Sequence, residues 1–106
     1  MTQILDESNF HKTILNLKGI ALVDFWATWC GACQKQIPII DELSNEMSDK
    51  ALIAKVNVEQ AQNIAQIFKI TSIPTLIIFK DGKTIEKLTG LHTKEQLKSA
   101  LNKYFL

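Results

Sequence analysis

The sequence predicts an α/β domain, a mixed sheet sandwiched between helices. Three observations carry this expectation. Strand-like and helix-like patterns alternate through the first half of the chain. The run Ile20 to Trp26 is nearly continuous in apolar residues, as expected of a strand covered on both faces. Near the end, an Asp81-Gly82 turn joins two strand-like runs, and a capped helix follows.

Taken in order, Gln3 to Leu5 is a short candidate strand. Phe10, Ile14 and Leu17 recur at helical spacing, and Gly19 is the stop signal. The strand Ile20 to Trp26 is interrupted by one charge, Asp24. A helix is expected from about Ala32 to Ser48, with a core stripe of Ile37, Ile40, Leu43 and Met47 and a bend at Pro38. Ala51 to Val58 is the next strand, and Ala61 to Phe68 a short helix with Ile64 and Phe68 on one face. Thr75 to Lys80 pairs through the Asp81-Gly82 hairpin with Lys83 to Leu88. Thr93 and Gln96 form a capping-box pattern that opens a last helix, whose buried residues are Leu97, Ala100, Leu101 and Tyr104. Phe10, Phe25, Phe68 and Phe79 are assigned to the core.

The bulk properties narrow the function. A chain of 106 residues suits one domain, 1–106, and its 46% hydrophobic content suits a packed core. Twelve Lys and Arg against eleven Asp and Glu leave a net charge of +1, which argues against nucleic acid or an anionic membrane as partner. The first twenty residues hold no apolar segment of signal-peptide length, so export is not expected. The most apolar stretch, Ile20 to Trp29, is half the roughly 20 residues a bilayer requires. A monomer in a reducing cytoplasm is the expectation. In that compartment two nearby cysteines are catalytic or metal-binding more often than structural.

Both cysteines lie in Trp29-Cys30-Gly31-Ala32-Cys33. A helix beginning there brings the sulfurs within bonding reach and aims its N-terminus at the first, so the pair can exchange two electrons as dithiol and disulfide. Cys30, at the strand-to-helix junction, is the candidate attacker, because unpaired N–H groups and the helix dipole favour a thiolate. Cys33, one turn further in, resolves the mixed disulfide. A metal is disfavoured by ligand counting: two sulfurs are half a zinc site, and the only histidines, His11 and His92, are distant in sequence.

Further residues bring a family into view. Val23-Asp24-Phe25-Trp26-Ala27-Thr28-Trp29-Cys30-Gly31-Ala32-Cys33 resembles the active-site segment of the thioredoxin family. Pro38, Ile73-Pro74-Thr75, Phe79-Lys80-Asp81-Gly82 and Gly90 fall where that family carries its signatures, so the resemblance covers essentially the whole chain. It implies a thioredoxin fold: a central five-stranded mixed sheet in the order 1-3-2-4-5, flanked by four helices. It implies reduction of disulfides in protein substrates, with no bound cofactor beyond the Cys30–Cys33 disulfide, and recharging by an NADPH-dependent flavoprotein, thioredoxin reductase.

The resemblance also assigns roles. Asp24 becomes the proton acceptor for Cys33, acting through water; from the residues alone it reads equally as a solvent-facing edge-strand carboxylate. A carboxyl buried among apolar groups has a raised pKa, which suits a base near neutral pH. Lys55 matches a lysine beside that carboxylate and would modulate it; the alternative is an outward-facing strand lysine. The Ile73–Pro74 bond is implied to be cis and to pack on the disulfide, against the alternative of an ordinary strand-entry proline. Ile73 would offer its backbone to an extended substrate segment. Trp29, Gly31, Ala32, Ile73, Pro74 and Gly90 form the implied substrate-binding rim, Trp26 packs nearby, and Gly31, Gly82 and Gly90 are expected at turns or clearances.

The departure from the family pattern is Ala32, where proline is usual. Alanine accepts the same φ and adds an N–H near Cys30, so a less negative potential than the proline form is expected. Acidity alone does little. A thiol moved from pKa ~8.5 to ~7, the family's usual value, gains about fifteenfold in thiolate at pH 7. Lower basicity then returns roughly four- to sixfold of that. Two other readings stay open on the same fold: a net thiol oxidant or isomerase, and a redox-regulated binding module without turnover.

Overall fold

A computed structural model describes residues 2–105; the expected domain 1–106 thus has Met1 and Leu106 outside the described residues. The elements are β1 (Gln3–Leu5), α1 (His11–Leu15), β2 (Ile20–Trp26), α2 (Gly31–Met47), β3 (Ala51–Asn57), α3 (Gln62–Ile67), β4 (Thr75–Lys80), β5 (Lys83–Thr89) and α4 (Lys94–Asn102). The five strands form one sheet in the order β1-β3-β2-β4-β5. β3 runs parallel to β1 and β2, and β4 runs antiparallel to β2 and β5. The mixed five-stranded sheet with four helices is therefore as expected.

β2 lies at the centre, hydrogen-bonded to β3 on one side and β4 on the other. Its residues alternate between two cores, because successive side chains of a strand point to opposite faces. Ala21, Val23 and Phe25 join Phe10, Ile14, Val56 and Phe79 under α1 and α3. Ile20 and Leu22 join Ile40, Leu43, Met47, Leu97 and Leu101 under α2 and α4. On the first face Phe10, Phe25, Phe68 and Phe79 pack ring to ring, with centroids 5.5–6.4 Å apart. Each fully buried side chain of this kind contributes about 1.5–3 kcal/mol relative to leaving it exposed.

The local signals act as read, with three corrections. Asp81 and Gly82 both take positive φ, +51° and +81°, as a two-residue type I′ hairpin requires. The Asp81 carboxylate accepts from the Gly19 N–H (2.8 Å) and the Asp81 N–H donates to the Gly19 carbonyl (2.9 Å), tying the hairpin to the start of β2. The Thr93–Gln96 capping box opens α4 in full. The first helix is shorter than Phe10–Leu17 and wider: the Asn16 N–H reaches back five residues to the His11 carbonyl, a π turn. The second correction concerns α2. Its buried stripe is Cys33, Gln36, Ile40, Leu43 and Met47, with Ser44 beside it, and Ile37 is only half-buried. The third is Tyr104, expected among the buried residues of the last helix: it lies beyond the end of α4 and is only half-buried, with its hydroxyl donating to Glu86.

Candidate functional site

β2 ends at Trp26, and three residues carry the chain to Cys30, the N-cap of α2. Cys30 has extended backbone (φ −95°, ψ 115°), so its sulfur faces the first turn and accepts the Cys33 N–H at 3.2 Å. This sulfur takes the place of the usual Ser or Asp oxygen in capping an orphan donor. Cys30 and Cys33 are joined as a disulfide, with Cα atoms 5.2 Å apart. Cys33 is fully buried, whereas Cys30 keeps 8% of its surface in contact with solvent. A negative charge forming on Cys30 would meet an N–H already aimed at it.

The rim is assembled from three segments. Trp29 projects beside Cys30 and is 72% exposed. The Ile73–Pro74 bond is cis, and the Ile73 carbonyl oxygen lies 3.7 Å from Cys30 Sγ. Pro74 is buried and Ile73 half-buried. Gly90, at φ +92°, donates its N–H to the Pro74 carbonyl at 2.8 Å. Thus Cys30, Ile73, Pro74 and Gly90, about sixty residues apart at the extremes, share one surface. Gly31 corrects an expectation: its φ is not positive, and a Cβ there would meet nothing within 4 Å, so it serves neither a turn nor a clearance.

Asp24 is on the α2/α4 face of β2, following Ile20 and Leu22 in the alternation. It is fully buried, and among the described residues neither carboxylate oxygen has a hydrogen-bond partner. Burial therefore drives its pKa up to about 7, against a smaller lowering by the positive charge of Lys55. Its place on the central strand overturns the edge-strand alternative. Lys55 is opposite Asp24 in the β2–β3 register, but its ammonium stands over the Trp26 ring, 5.7 Å from the centroid. Among the described residues no ion pair joins Lys55 to Asp24, so its influence is through space.

Several contributors were not singled out from the sequence. The Glu59 carboxylate accepts both the Thr28 N–H and the Thr28 hydroxyl at 2.8 Å, which hold its pKa below the usual range. Gln34 donates its side-chain amide to the Thr28 carbonyl at 3.3 Å. Together they fix the turn that presents Trp29 and Cys30. Gln36 bonds to the backbone of His92, far along the chain. The amide of Ala32 has no hydrogen-bond partner among the described residues, and the donor to Cys30 Sγ is Cys33. Among the described residues no cluster of three or more His, Cys, Asp or Glu could hold a metal, and no helix is long and apolar enough to cross a membrane.

The chain as a whole is similar to known proteins. The thioredoxin family model matches residues 1–103. The chain is 44% identical over 98 residues to a thioredoxin of Staphylococcus haemolyticus, covering 92% of each chain. It is 42% identical to thioredoxin 2 of Chlorobaculum tepidum (92% of this chain, 90% of the relative). It is also 42% identical to a thioredoxin of Alicyclobacillus acidocaldarius, over 94% of each. With the sheet order, the WCGxC spacing and the closed disulfide in agreement, the chain belongs to the thioredoxin family of thiol–disulfide oxidoreductases, and the Cys30–Cys33 pair is its redox-active disulfide.

Proposed function

We propose that this protein is a cytoplasmic protein-disulfide reductase, working as a single-domain monomer, in which Cys30 attacks and Cys33 resolves. The Cys30 thiolate attacks one sulfur of a substrate disulfide, forming a mixed disulfide and releasing the other substrate sulfur as a thiolate. Asp24 takes the Cys33 proton through water. The Cys33 thiolate then attacks Cys30 Sγ, the internal disulfide closes, and the substrate leaves as a dithiol. Two electrons pass from the protein to the substrate, and two protons follow. An NADPH-dependent flavoprotein, thioredoxin reductase, returns them.

The observation that carries this reading is the Cys33 N–H aimed at Cys30 Sγ at the mouth of α2, with Cys33 itself sealed from solvent. The exposure left to Cys30, against the full burial of Cys33, supports Cys30 as the one that meets a visiting disulfide. The Ile73 carbonyl beside it, and exposed Trp29, suit an extended segment bound mainly through its backbone. Asp24 supports the proton step because its pKa lies near 7, where a base can both take and return a proton. Lys55, opposite it in register, tunes that value without touching substrate.

The test is turnover of insulin disulfides with NADPH and a bacterial thioredoxin reductase. The wild type should turn over, Cys30→Ser should not, and Cys33→Ser should accumulate a covalent complex on Cys30. A Cys33→Ser variant that forms no mixed disulfide, while the wild type reduces insulin, would reverse the assignment of attacker and resolver. A wild type that holds disulfide-bearing partners in a tight complex without reducing them would favour the binding-module reading instead.

A further inference from the structure

Gln36 is completely buried on the stripe of α2 that also carries Cys33, one turn away. Its side-chain amide meets one residue twice. Nε2 donates to the His92 carbonyl at 3.0 Å, and Oε1 accepts the His92 N–H at 2.9 Å. A primary amide matches a peptide unit in this way only in one orientation, since flipping it would set donor against donor. His92 belongs to the irregular segment Gly90–His92 between β5 and α4. That segment is tied at its other end by the Gly90 N–H to the Pro74 carbonyl. Within it, the His92 ring nitrogen Nδ1 is 2.7 Å from the Gly90 carbonyl oxygen.

The contacts form a circuit around the disulfide. Cys30 Sγ touches the Ile73 carbonyl, Pro74 holds Gly90, Gly90 meets the His92 ring, and the His92 backbone is held by Gln36 on the cysteine-bearing helix. Leu91, 46% exposed, is at the outer edge of this segment. We propose that Gln36 is a positioning residue for the reductase: by holding both backbone groups of His92 it fixes the Gly90–His92 segment in the shape that receives the substrate chain. The inference rests on the reductase reading above. Gln36 contacts no reacting atom, so its effect falls on substrate grip rather than on sulfur chemistry. Without it the two His92 backbone groups turn to water, and the segment is held only at Gly90.

The experiment uses Gln36→Met, which keeps length and apolar volume but neither donates nor accepts. Gln36→Glu keeps the acceptor for the His92 N–H, and it keeps a donor to the His92 carbonyl only while its buried carboxyl is protonated. Insulin reduction is followed with NADPH and a thioredoxin reductase, and amide hydrogen exchange at His92 is measured in parallel. Only part of the net worth of the two hydrogen bonds is felt as substrate grip, which predicts a KM about three- to tenfold higher for the Met variant, with kcat within about twofold of wild type. His92 exchange should be at least about tenfold faster, and the Glu variant should fall between the two. If Gln36→Met does not fold, Gln36→Glu decides by the same two readouts. A wild type that reduces insulin, beside a folded variant with unchanged KM and unchanged His92 exchange, overturns the positioning role. A wild type that fails to reduce insulin removes the reductase reading itself.

Discussion

Replacing Asp24 by alanine removes a carboxyl group that is fully buried and has no hydrogen-bond partner among the described residues. The unfolded chain titrates this group near 3.8, whereas the folded protein titrates it near 7. Between those values the native state holds a proton that the unfolded state has released. Stability therefore falls as pH rises through this window, and it levels off above the folded pKa. Three pKa units at about 1.4 kcal/mol each amount to about 4 kcal/mol of strain at pH 8. The alanine variant escapes that loss, while the packing it gives up does not depend on pH. Urea unfolding of the oxidised proteins at pH 3.5 and pH 8 separates the two contributions. The stability of Asp24→Ala relative to wild type should rise by about 4 kcal/mol between these pH values. Curves that run parallel within about 1 kcal/mol would show that Asp24 is not a buried, strained carboxylate.

Two further outcomes test the neighbourhood of the disulfide and the fold. Ala32→Pro removes an N–H of the first turn of α2 that has no hydrogen-bond partner among the described residues. Its redox titration should give a potential about 20–30 mV more negative than wild type, about 1 kcal/mol on the two-electron scale, and an equal or less negative value would discount that amide. Gly82→Ala adds a Cβ at φ +81° that collides with the Leu15 carbonyl, whereas Gly31→Ala enters open space. Thermal unfolding should show the first losing about 2–4 kcal/mol and the second staying within about 0.5 kcal/mol of wild type. Equal effects at the two glycines would mean that the hairpin relaxes away from α1.

The sequence is most legible where structure is set by neighbours along the chain. The Asp81-Gly82 turn, the Thr93–Gln96 cap and the continuous apolar run of β2 are local devices, and each forms as read. The CxxC spacing belongs with them, since one helical turn alone brings Cys30 and Cys33 together. Gln36 was hidden because a polar residue in an amphipathic helix is ordinarily assigned to the wet face. The clue lay in the spacing 33-36-40-43-47, which fits a helical stripe as well as one through Ile37 does. Only the distant His92 backbone explains why a glutamine can occupy it. Asp24 was ambiguous for a related reason: whether β2 lies at the edge or the centre depends on pairing with β3 and β4, which no local pattern encodes. The hold of Glu59 on Thr28 is likewise a product of tertiary placement.

Three devices act on the same exchange reaction, and their sizes can be compared. Tuning the acidity of Cys30 yields only a few-fold, because the gain in thiolate population is largely offset by weaker nucleophilicity. Keeping a base near pKa 7 in the core requires an unpartnered carboxylate, at about 4 kcal/mol of stability at alkaline pH. That strain is tolerable because the two apolar cores lie on either side of the strand that bears it. Holding the rim requires one amide with both of its hydrogen-bonding groups satisfied, so Gln36 adds no comparable strain. The costly device serves the proton step, and the inexpensive one serves recognition. Substitutions at the two positions should therefore part company: loss of Asp24 should remove the alkaline loss of stability and slow substrate release, whereas loss of Gln36 should raise KM and leave the release step intact.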